Sequence, residues 1–259
     1  MKKDYIVFID SGIGGLSTLA SCIKYNKNNY LYVADNKNIP YGSHSEKDIQ
    51  LFLAEIIIKL KKFYNFKIVV LACNTATTTS IEYLRARFQD LLFIGTEPAI
   101  KLAYKNSRKN ILAITTPATA RQQKFIELKN SLNCNIEVLT INNLAKNIEE
   151  YVLNKSFFSY AKLLKNIFYI IEQSKKFDCL VLGCTHYVFL KPYLKKFTNI
   201  ALLDGNEGVQ KQLQKIIYKS NIKQNDNFCI KFYNTLNLKS LKENYKKILS
   251  QILANEKLL

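Results

Sequence analysis

The stretch Val69-Val70-Leu71-Ala72-Cys73-Asn74-Thr75 and its counterpart Leu180-Val181-Leu182-Gly183-Cys184-Thr185-His186 indicate the fold of this chain. Each is a short apolar run that passes through one small residue into a cysteine and then opens onto a helix-like segment. A short apolar run before a helix is typical of a buried strand in a parallel sheet. The pair therefore predicts two similar halves, each with a cysteine at the end of a strand.

The same alternation of strands and helices extends along the rest of the chain. Apolar, β-rich runs predict strands at Tyr5–Ile9, Tyr30–Ala34, Lys67–Ala72, Leu92–Gly95, Ile111–Thr115, Ile136–Ile141, Asp178–Gly183, Ile200–Leu203 and Phe228–Tyr233. Helical patterns between them include Glu46–Tyr64, Thr119–Leu132, Tyr160–Lys175 and Glu207–Lys219. Short strands separated by helices are typical of an α/β protein whose parallel sheets are covered on both faces.

Two polar turns predict where the halves join. One is Thr96-Glu97-Pro98, directly after a predicted strand, and the other is Asp204-Gly205-Asn206-Glu207. We therefore expect a discontinuous first domain (1–97 plus 206–259) and a continuous second domain (98–205). Both are expected to be doubly wound parallel-sheet domains, with the active site in the cleft between them, because ligands of such sheets lie beyond the carboxyl ends of the strands.

The strong positive charge of the chain allows two interpretations. The 259 residues carry a formal net charge of +18, and lysines occur in nearly every predicted helix. A compositional bias that also enriches Asn, Ile and Tyr explains this even spread. Weak, salt-sensitive binding to polyanions is the alternative, since clustered positive charge is typical of nucleic-acid binding.

Targeting and metal-binding patterns are not apparent in the sequence. No apolar run has the length of a membrane span, and the first residues do not resemble a signal peptide, so a cytoplasmic protein with reduced thiols is expected. The six cysteines form no CxxC pair and only two histidines are present, which argues against a structural zinc site. Four cysteines fit the role of small buried hydrophobes: Cys22, Cys134, Cys179 and Cys229.

Cys73 and Cys184 differ from these four because each stands between a strand and a helix start. That position predicts a lowered thiol pKa, through the helix dipole and free backbone N–H groups. Two thiols that face each other across a cleft suit one reaction in particular. One removes a proton from a carbon and the other returns a proton to the opposite face, which inverts a stereocentre without a cofactor.

Polar residues at the other strand ends complete the candidate site. The turn Asp10-Ser11-Gly12-Ile13-Gly14-Gly15 does not match the G-x-G-x-x-G pattern, and Asp10 suits an ammonium group better than a pyrophosphate. Asn74, Thr75 and Thr185 are placed either to bind a carboxylate at a helix start or simply to cap the helix. His186 is close enough in sequence to orient the Cys184 thiol or to transfer its proton.

These motifs resemble the glutamate racemases, within the wider aspartate/glutamate racemase group, and the resemblance runs through almost the whole chain. Its landmarks are the segments 8–16, Ala34-Asp35, Pro40-Tyr41-Gly42, 72–76 and 182–187. The resemblance implies a cofactor-independent interconversion of L- and D-glutamate, which supplies D-glutamate for peptidoglycan. It also implies a homodimer that acts on a small-molecule substrate. Binding to a membrane or to nucleic acid is not expected.

The resemblance also assigns residues of this chain to roles. Cys73 and Cys184 match the two acid/base cysteines, with Asp10 and His186 assisting on opposite sides. Glu149 matches a further assisting acid, with Glu150 as the competing position. The substrate-binding positions that it implies are Asp10, Ser11, Tyr41, Gly42, Asn74, Thr75, Thr116, Thr119, Thr185 and His186.

Two positions depart from the family pattern, and two other functions stay open. Val188 stands where the family usually has proline, and Gln122 stands where a smaller residue is common, which leaves the shape of the second half-site open. The nearer alternative is a racemase for aspartate or another amino acid. The more distant one is a basic protein that binds polyanions without catalysis.

Overall fold

The computed structural model describes residues 3–224 and 226–255 and contains two parallel sheets. The strands in chain order are β1 (Asp4–Asp10), β2 (Tyr30–Ala34), β3 (Asn65–Leu71), β4 (Leu92–Gly95), β5 (Asn110–Thr115), β6 (Asn135–Thr140), β7 (Cys179–Gly183), β8 (Ala201–Asp204) and β9 (Ile230–Asn234). One sheet has the order β4-β3-β1-β2-β9 and the other β6-β5-β7-β8, with every pairing parallel. This confirms the predicted α/β class with two parallel sheets.

Helices connect the strands on both faces of the sheets. They are α1 (Gly15–Ile23), α2 (Glu46–Phe63), α3 (Asn74–Arg87), α4 (Ile100–Lys105), α5 (Pro117–Arg121), α6 (Gln123–Asn130), α7 (Leu144–Asn154), α8 (Phe157–Ser174), α9 (Lys191–Phe197), α10 (Asn206–Lys219) and α11 (Lys239–Asn255). Short 3-10 helices lie at Asn36–Asn38, Tyr41–Ser43 and Thr185–Leu190. Within the described ranges, no helix is long and apolar enough to cross a membrane.

The alternating side chains of β1 separate the core into layers. Phe8 points into a cluster that also contains Leu16 of α1 and reaches Leu180 of β7, so one apolar core continues from the first sheet into the second. Val7 and Ile9 point to the other face, where α2 and α3 pack. Side chains on successive strand residues face opposite sides of a sheet, and here both sides are covered. The strand ends are thereby held in fixed positions.

One predicted helix was wrong. The pattern predicted a single helix over Thr119–Leu132, but the structure has α5 and α6, separated at Gln122, whose backbone is extended (φ −71°, ψ 131°). The first helix begins early because the Thr116 side chain accepts a hydrogen bond from the Thr119 N–H and Pro117 occupies the first helical position. The predicted domain boundaries stay a prediction, and their outermost residues, 1–2 and 256–259, lie outside the described ranges.

Candidate active site

The parallel register of the strands brings the predicted site residues together. Ile9 of β1 pairs with Leu71 of β3, so Asp10, the last residue of β1, and Cys73, two residues beyond β3, lie at the carboxyl ends of neighbouring strands. In the second sheet Thr115 pairs with Gly183, which places Thr116 and Cys184 side by side in the same way. The other four cysteines lie elsewhere: Cys22 and Cys179 are buried and Cys134 and Cys229 are half-buried.

The site is closed in this conformation. The predicted residues Asp10, Ser11, Tyr41, Cys73, Asn74, Thr75, Thr119, Glu149, Cys184, Thr185 and His186 are buried. Gly42 and Thr116 are half-buried. The polar groups of the two halves therefore contact one another directly in the interior of the molecule.

Hydrogen bonds join the two halves across the site. The Thr185 hydroxyl donates to Asp10 Oδ2 over 3.0 Å, and the Thr75 and Thr116 hydroxyls lie 3.2 Å apart. The Ile13 N–H donates to Glu149 Oε2 over 3.3 Å. Each contact links a residue that follows a strand of the first sheet to a residue of the second half. The candidate site is thus assembled from both halves.

The Cys73 thiol has a different acidity from the one its position predicted. It precedes the first residue of α3, where the helix dipole favours a thiolate. Burial nevertheless raises the pKa of Cys73, and the nearby negative charges of Asp10 and Cys184 raise it further. Hydrogen bonds from the Ala76 N–H and the Ser11 side chain act in the opposite direction but do not compensate. In the closed state Cys73 is therefore a neutral thiol.

Cys184 has a different set of neighbours. Its Sγ lies 4.0 Å from Nδ1 of His186, and Nε2 of His186 lies 2.6 Å from Oε2 of Glu149. Burial disfavours the imidazolium, but the contacts with Cys184 and Glu149 together outweigh burial and hold the pKa of His186 well above its usual value. A protonated His186 can donate to both partners. Cys184 is therefore flanked by a cation and Cys73 by an anion.

The structure separates the two glutamates that the sequence left as alternatives. Glu149 of α7 is buried and reaches His186, as described above. Glu150 points outward and forms an ion pair with Lys146, 3.8 Å away and one helical turn earlier. The geometry thus brings Glu149, and not Glu150, to the site.

Asp10 lies at the junction of these groups. Its Oδ1 accepts a hydrogen bond from the Gly12 N–H over 2.8 Å, and its Oδ2 accepts the Thr185 bond. Complete burial raises the pKa of the Asp10 carboxyl, although the charge of His186 and the two hydrogen bonds favour the ionised form. Asp10 is consequently a stronger base than an exposed carboxylate would be.

The glycines of the turn after β1 serve close packing between the halves. A Cβ on Gly12 would overlap the Glu149 carboxylate, and one on Gly14 would overlap the Thr185 hydroxyl and the imidazole of His186. This requirement for space explains the glycine-rich turn without a phosphate. The sequence could not have revealed it, because the residues in contact lie more than a hundred positions further along the chain.

Four further residues predicted to bind substrate are held in place by hydrogen bonds to other parts of the protein. The Tyr41 hydroxyl donates to Asp35 Oδ2 over 2.8 Å, and the Asn74 side-chain amide donates to the Thr96 carbonyl over 3.3 Å. Thr116 and Thr119 hydrogen bond to each other through their hydroxyls. Each side chain is thereby oriented before any ligand binds.

One contact of the site was not predicted. The Tyr32 hydroxyl donates to the Gly12 carbonyl over 2.6 Å. A tyrosine within an apolar strand gives no sequence signal for such a role. Within residues 3–224 and 226–255, the structure has no group of three or more His, Cys, Asp or Glu side chains arranged to hold a metal ion.

Comparisons of the whole chain with known proteins identify its family. No protein-family model matches the chain. The glutamate racemase of Clostridium botulinum is 34% identical over 227 residues, covering 85% of this chain and 86% of the relative. The glutamate racemase of Leptospira interrogans is 35% identical over 254 residues, covering 96% of both chains.

Solved structures show the same fold. The crystal structure of glutamate racemase isoform RacE1 from Bacillus anthracis superposes with a TM-score of 0.80 at 25% identity, over 96% of this chain and 95% of that one. The glutamate racemase from Campylobacter jejuni gives a TM-score of 0.77 at 26% identity, over 95% and 98% of the two chains. By sequence identity across most of its length and by fold, the chain belongs to the glutamate racemases, a family of isomerases.

Proposed function

We propose that the chain interconverts L- and D-glutamate without a cofactor, by proton transfer between two cysteines. One observation carries the proposal: Cys73 and Cys184 follow equivalent strands of the two sheets and are both buried in one site, where the Thr185 hydroxyl beside Cys184 donates to Asp10 of the first sheet. An acid and a base on opposite faces of the α-carbon are what inversion requires. The resemblance of both cysteine turns to the family motif supports the same assignment.

The proposed step is balanced in protons. One cysteine, as a thiolate, takes the α-proton and becomes a thiol. The other, as a thiol, donates its proton to the opposite face of the carbanion and becomes a thiolate. By analogy with the family, Cys73 acts on D-glutamate and Cys184 acts on L-glutamate. A positioned acid or base typically contributes on the order of 10²–10⁴ in rate.

The neighbours of each thiol assist its proton transfer in this scheme. Cys73 is a neutral thiol in the closed state, so it needs a base, and the buried Asp10 carboxylate is at hand. On the other side, the His186 imidazolium held by Glu149 stabilises a Cys184 thiolate. The charges beside the two thiols thus differ in sign.

The substrate carboxylate needs donors that do not move during the reaction. Backbone and side-chain donors of Ser11, Asn74, Thr75 and Thr185 surround the site and are buried. Fixed donors in a site that excludes water stabilise the charge that develops on the carbanion. Tyr41, Gly42, Thr116 and Thr119 are the further residues that we assign to substrate binding.

Circular dichroism of D-glutamate, and separately of D-aspartate, tests the proposal. The purified protein is incubated with each amino acid in chelator, with reduced thiols and no added cofactor. Decay of the glutamate signal to zero is the expected result. Decay with aspartate alone would assign the chain to the sister activity. No decay with either, from folded protein, would favour the polyanion-binding alternative, which predicts steeply salt-dependent binding to DNA.

The biological role follows from the reaction. We expect a cytoplasmic homodimer that supplies D-glutamate for peptidoglycan. Growth of a D-glutamate-requiring bacterium that expresses the chain tests the supply of D-glutamate, and light scattering during gel filtration tests the dimer. A monomer at micromolar concentration, or failure of an active enzyme to support growth, would contradict these two expectations.

A further inference from the structure

The peptide unit between Gly12 and Ile13 is held from both sides. Its carbonyl oxygen accepts the 2.6 Å hydrogen bond from the Tyr32 hydroxyl, and its N–H donates to Glu149 Oε2 over 3.3 Å. A peptide unit is planar and rigid, so fixing its oxygen also fixes the direction of its N–H. Tyr32, in the core of the first sheet, therefore determines where the N–H that binds Glu149 points.

Glu149 connects this peptide unit to the second cysteine turn through His186. Its Oε2 also contacts Nε2 of His186 at 2.6 Å, and Nδ1 of the same ring faces Cys184 Sγ at 4.0 Å. Tyr32 is fully buried, and Glu149 and His186 are 7% and 4% exposed. Water therefore has little access to take over any of these contacts. The contacts form one continuous series from β2 to the Cys184 thiol.

We propose that Tyr32 is a positioning residue for the second half-site: its hydroxyl fixes the Gly12–Ile13 peptide, which in turn holds Glu149 against His186 beside Cys184. Tyr32 does not touch the reacting atoms in this arrangement. Its effect on turnover rests on the proposed racemase function, whereas its effect on His186 does not.

The Tyr32 hydroxyl is suited to this role because it stays protonated. Burial raises its pKa well above the usual value, and the nearby carboxylates of Asp10 and Glu149 act in the same direction. The hydroxyl therefore remains a hydrogen-bond donor at every pH at which the protein works.

Tyr30 provides a matched control. It lies two residues earlier on β2, belongs to the same core cluster, and is also fully buried. Its hydroxyl donates to the Asn26 carbonyl over 2.7 Å, at the end of β2 remote from the cysteine turns. Tyr30→Phe and Tyr32→Phe each remove one buried hydroxyl and one hydrogen bond to a carbonyl. A general effect on the core would therefore appear in both variants.

The experiment follows the titration of His186 by NMR in protein labelled at histidine Cε1. The chain has two histidines, and His44, half-buried against Phe52, serves as an internal reference. The titratable groups that face His186 are Glu149 of α7, Cys184 of its own turn and Asp10 at the end of β1. A looser Glu149 stabilises the imidazolium less. We expect Tyr32→Phe to lower the pKa of His186, and Tyr30→Phe to leave it unchanged.

Kinetics provide the second readout. A misplacement of about 1 Å can reduce a rate roughly a hundredfold, so we expect kcat/KM to fall by about tenfold or more in Tyr32→Phe and by less than about twofold in Tyr30→Phe. The fall must be equal from L- and from D-glutamate, because the equilibrium constant between enantiomers is one. The alkaline limb of the kcat/KM profile, which reports groups of the free enzyme, should move to lower pH together with His186.

Three results would overturn the inference. These are an unchanged His186 titration in Tyr32→Phe, an equal shift in both variants, or unfolding of Tyr32→Phe alone, which would give the hydroxyl a purely structural role. A shifted titration in a chain that racemises nothing would refute the proposed function and leave the positioning role in place.

Discussion

The two cysteine turns look alike in sequence but differ in their surroundings. Both follow a parallel strand, and both cysteine residues are 7% exposed. Cys73 leads into the α-helix α3 and lies beside the Asp10 carboxylate, whereas Cys184 leads into a 3-10 helix and lies beside the His186–Glu149 pair. Repeated backbone geometry thus places two equivalent thiols, and the side chains around them make the thiols chemically unequal. A two-base inversion requires one thiol and one thiolate at a time, and these roles exchange with each turnover, so the unequal surroundings affect the two directions differently.

Removal of either the Cys73 or the Cys184 thiol is expected to reduce activity more than any other change. Cys73→Ala and Cys184→Ala should each reduce racemisation on the order of 10²–10⁴-fold or more, because each deletes one of the two proton carriers. Circular dichroism of glutamate in both directions measures the loss. Cys134→Ala, at a half-buried cysteine in the second half, is the control and should keep its activity. Turnover near wild type in Cys73→Ala would rule out the two-base scheme.

Addition of a methyl group to Gly14 should have the second largest effect, because it displaces the residues around Cys184. Its Cβ would overlap the Thr185 hydroxyl and the His186 ring, while its backbone is helical (φ −55°), so alanine fits the chain but not the space. We expect Gly14→Ala to reduce kcat/KM about a hundredfold, as for a misplacement of roughly 1 Å. Overpacking of this kind costs about 1–3 kcal/mol of stability.

Gly208 is the matched control for that change. No atom lies within 4 Å of a Cβ built there, and the residue is in the first turn of α10. Gly208→Ala should keep its activity and gain about 0.5–1 kcal/mol from the lower conformational entropy of alanine in the unfolded chain. Urea unfolding and kcat/KM measured on both variants separate the two effects. Equal activity in the two variants would show that the halves need not approach so closely.

The contrast between the turns also shows what the sequence could predict. Apolar runs followed by Asp10, Cys73, Thr116 and Cys184 predicted the strand ends, and parallel pairing then made these residues neighbours. The strand predictions succeeded because strand periodicity depends on local patterns. The break of the helix at Gln122 was missed, since the Thr116 cap and Pro117 outweighed the helical pattern that continues past them.

Contacts between the halves could not be predicted in the same way. The pKa of Cys73 was expected to fall because of its helix, and burial against the second half reverses the direction. The reason for Gly12 and Gly14 and the contact of Tyr32 with Gly12 likewise depend on residues distant in sequence. Local sequence thus specifies which residues reach the site, and the packing of the two halves specifies their protonation.

The His186–Glu149 pair should give the Cys184 side a pH-dependent stability. The pKa of His186 is raised in the folded protein, so its contribution to stability is complete below its unfolded value of about 6.5 and is lost as the pH rises towards the folded value. We expect the free energy of unfolding to fall by up to about 1.4 kcal/mol per pH unit from this group. At pH 7 a thiol with a pKa of about 8.5 is only about 3% ionised, so between pH 6.5 and 7 the cysteines of the unfolded chain add little to the slope of the histidine.

Glu149→Gln tests whether the His186–Glu149 pair causes this dependence of stability on pH, and Glu150→Gln is the control. The variant removes one of the two partners that favour the imidazolium, so stability should fall less steeply with pH than in the wild type. Glu150→Gln removes an exposed carboxylate that pairs with Lys146 and should keep the wild-type slope. Urea unfolding at several pH values gives the comparison. A reduced slope in Glu150→Gln and not in Glu149→Gln would assign the histidine partner to the wrong glutamate.

Asp10→Asn should give the smallest measured change in this series, a several-fold change in the reactivity of the Cys73 thiol. The negative charge of Asp10 is the second largest cause, after burial, of the raised pKa of Cys73. Asparagine keeps an oxygen that can accept from the Gly12 N–H, and its NH2 group then faces the Thr185 hydroxyl, which must accept rather than donate, while the charge is removed. The pKa of Cys73 should therefore fall, and alkylation by iodoacetamide at pH 8 should become faster by several-fold, because the thiolate is the reactive form.

Mass spectrometry measures the alkylation of both cysteines in the same sample, so that Cys184 serves as the internal reference for Cys73. We expect the ratio of Cys73 to Cys184 alkylation to rise in Asp10→Asn, and Asp90→Asn, which removes an exposed carboxylate paired with Lys61, should leave the ratio unchanged. Racemisation should fall in Asp10→Asn even though Cys73 has become more reactive, since the base that accepts its proton is lost. An unchanged ratio would mean that burial alone sets the acidity of Cys73, and the two turns would then differ electrostatically only through His186.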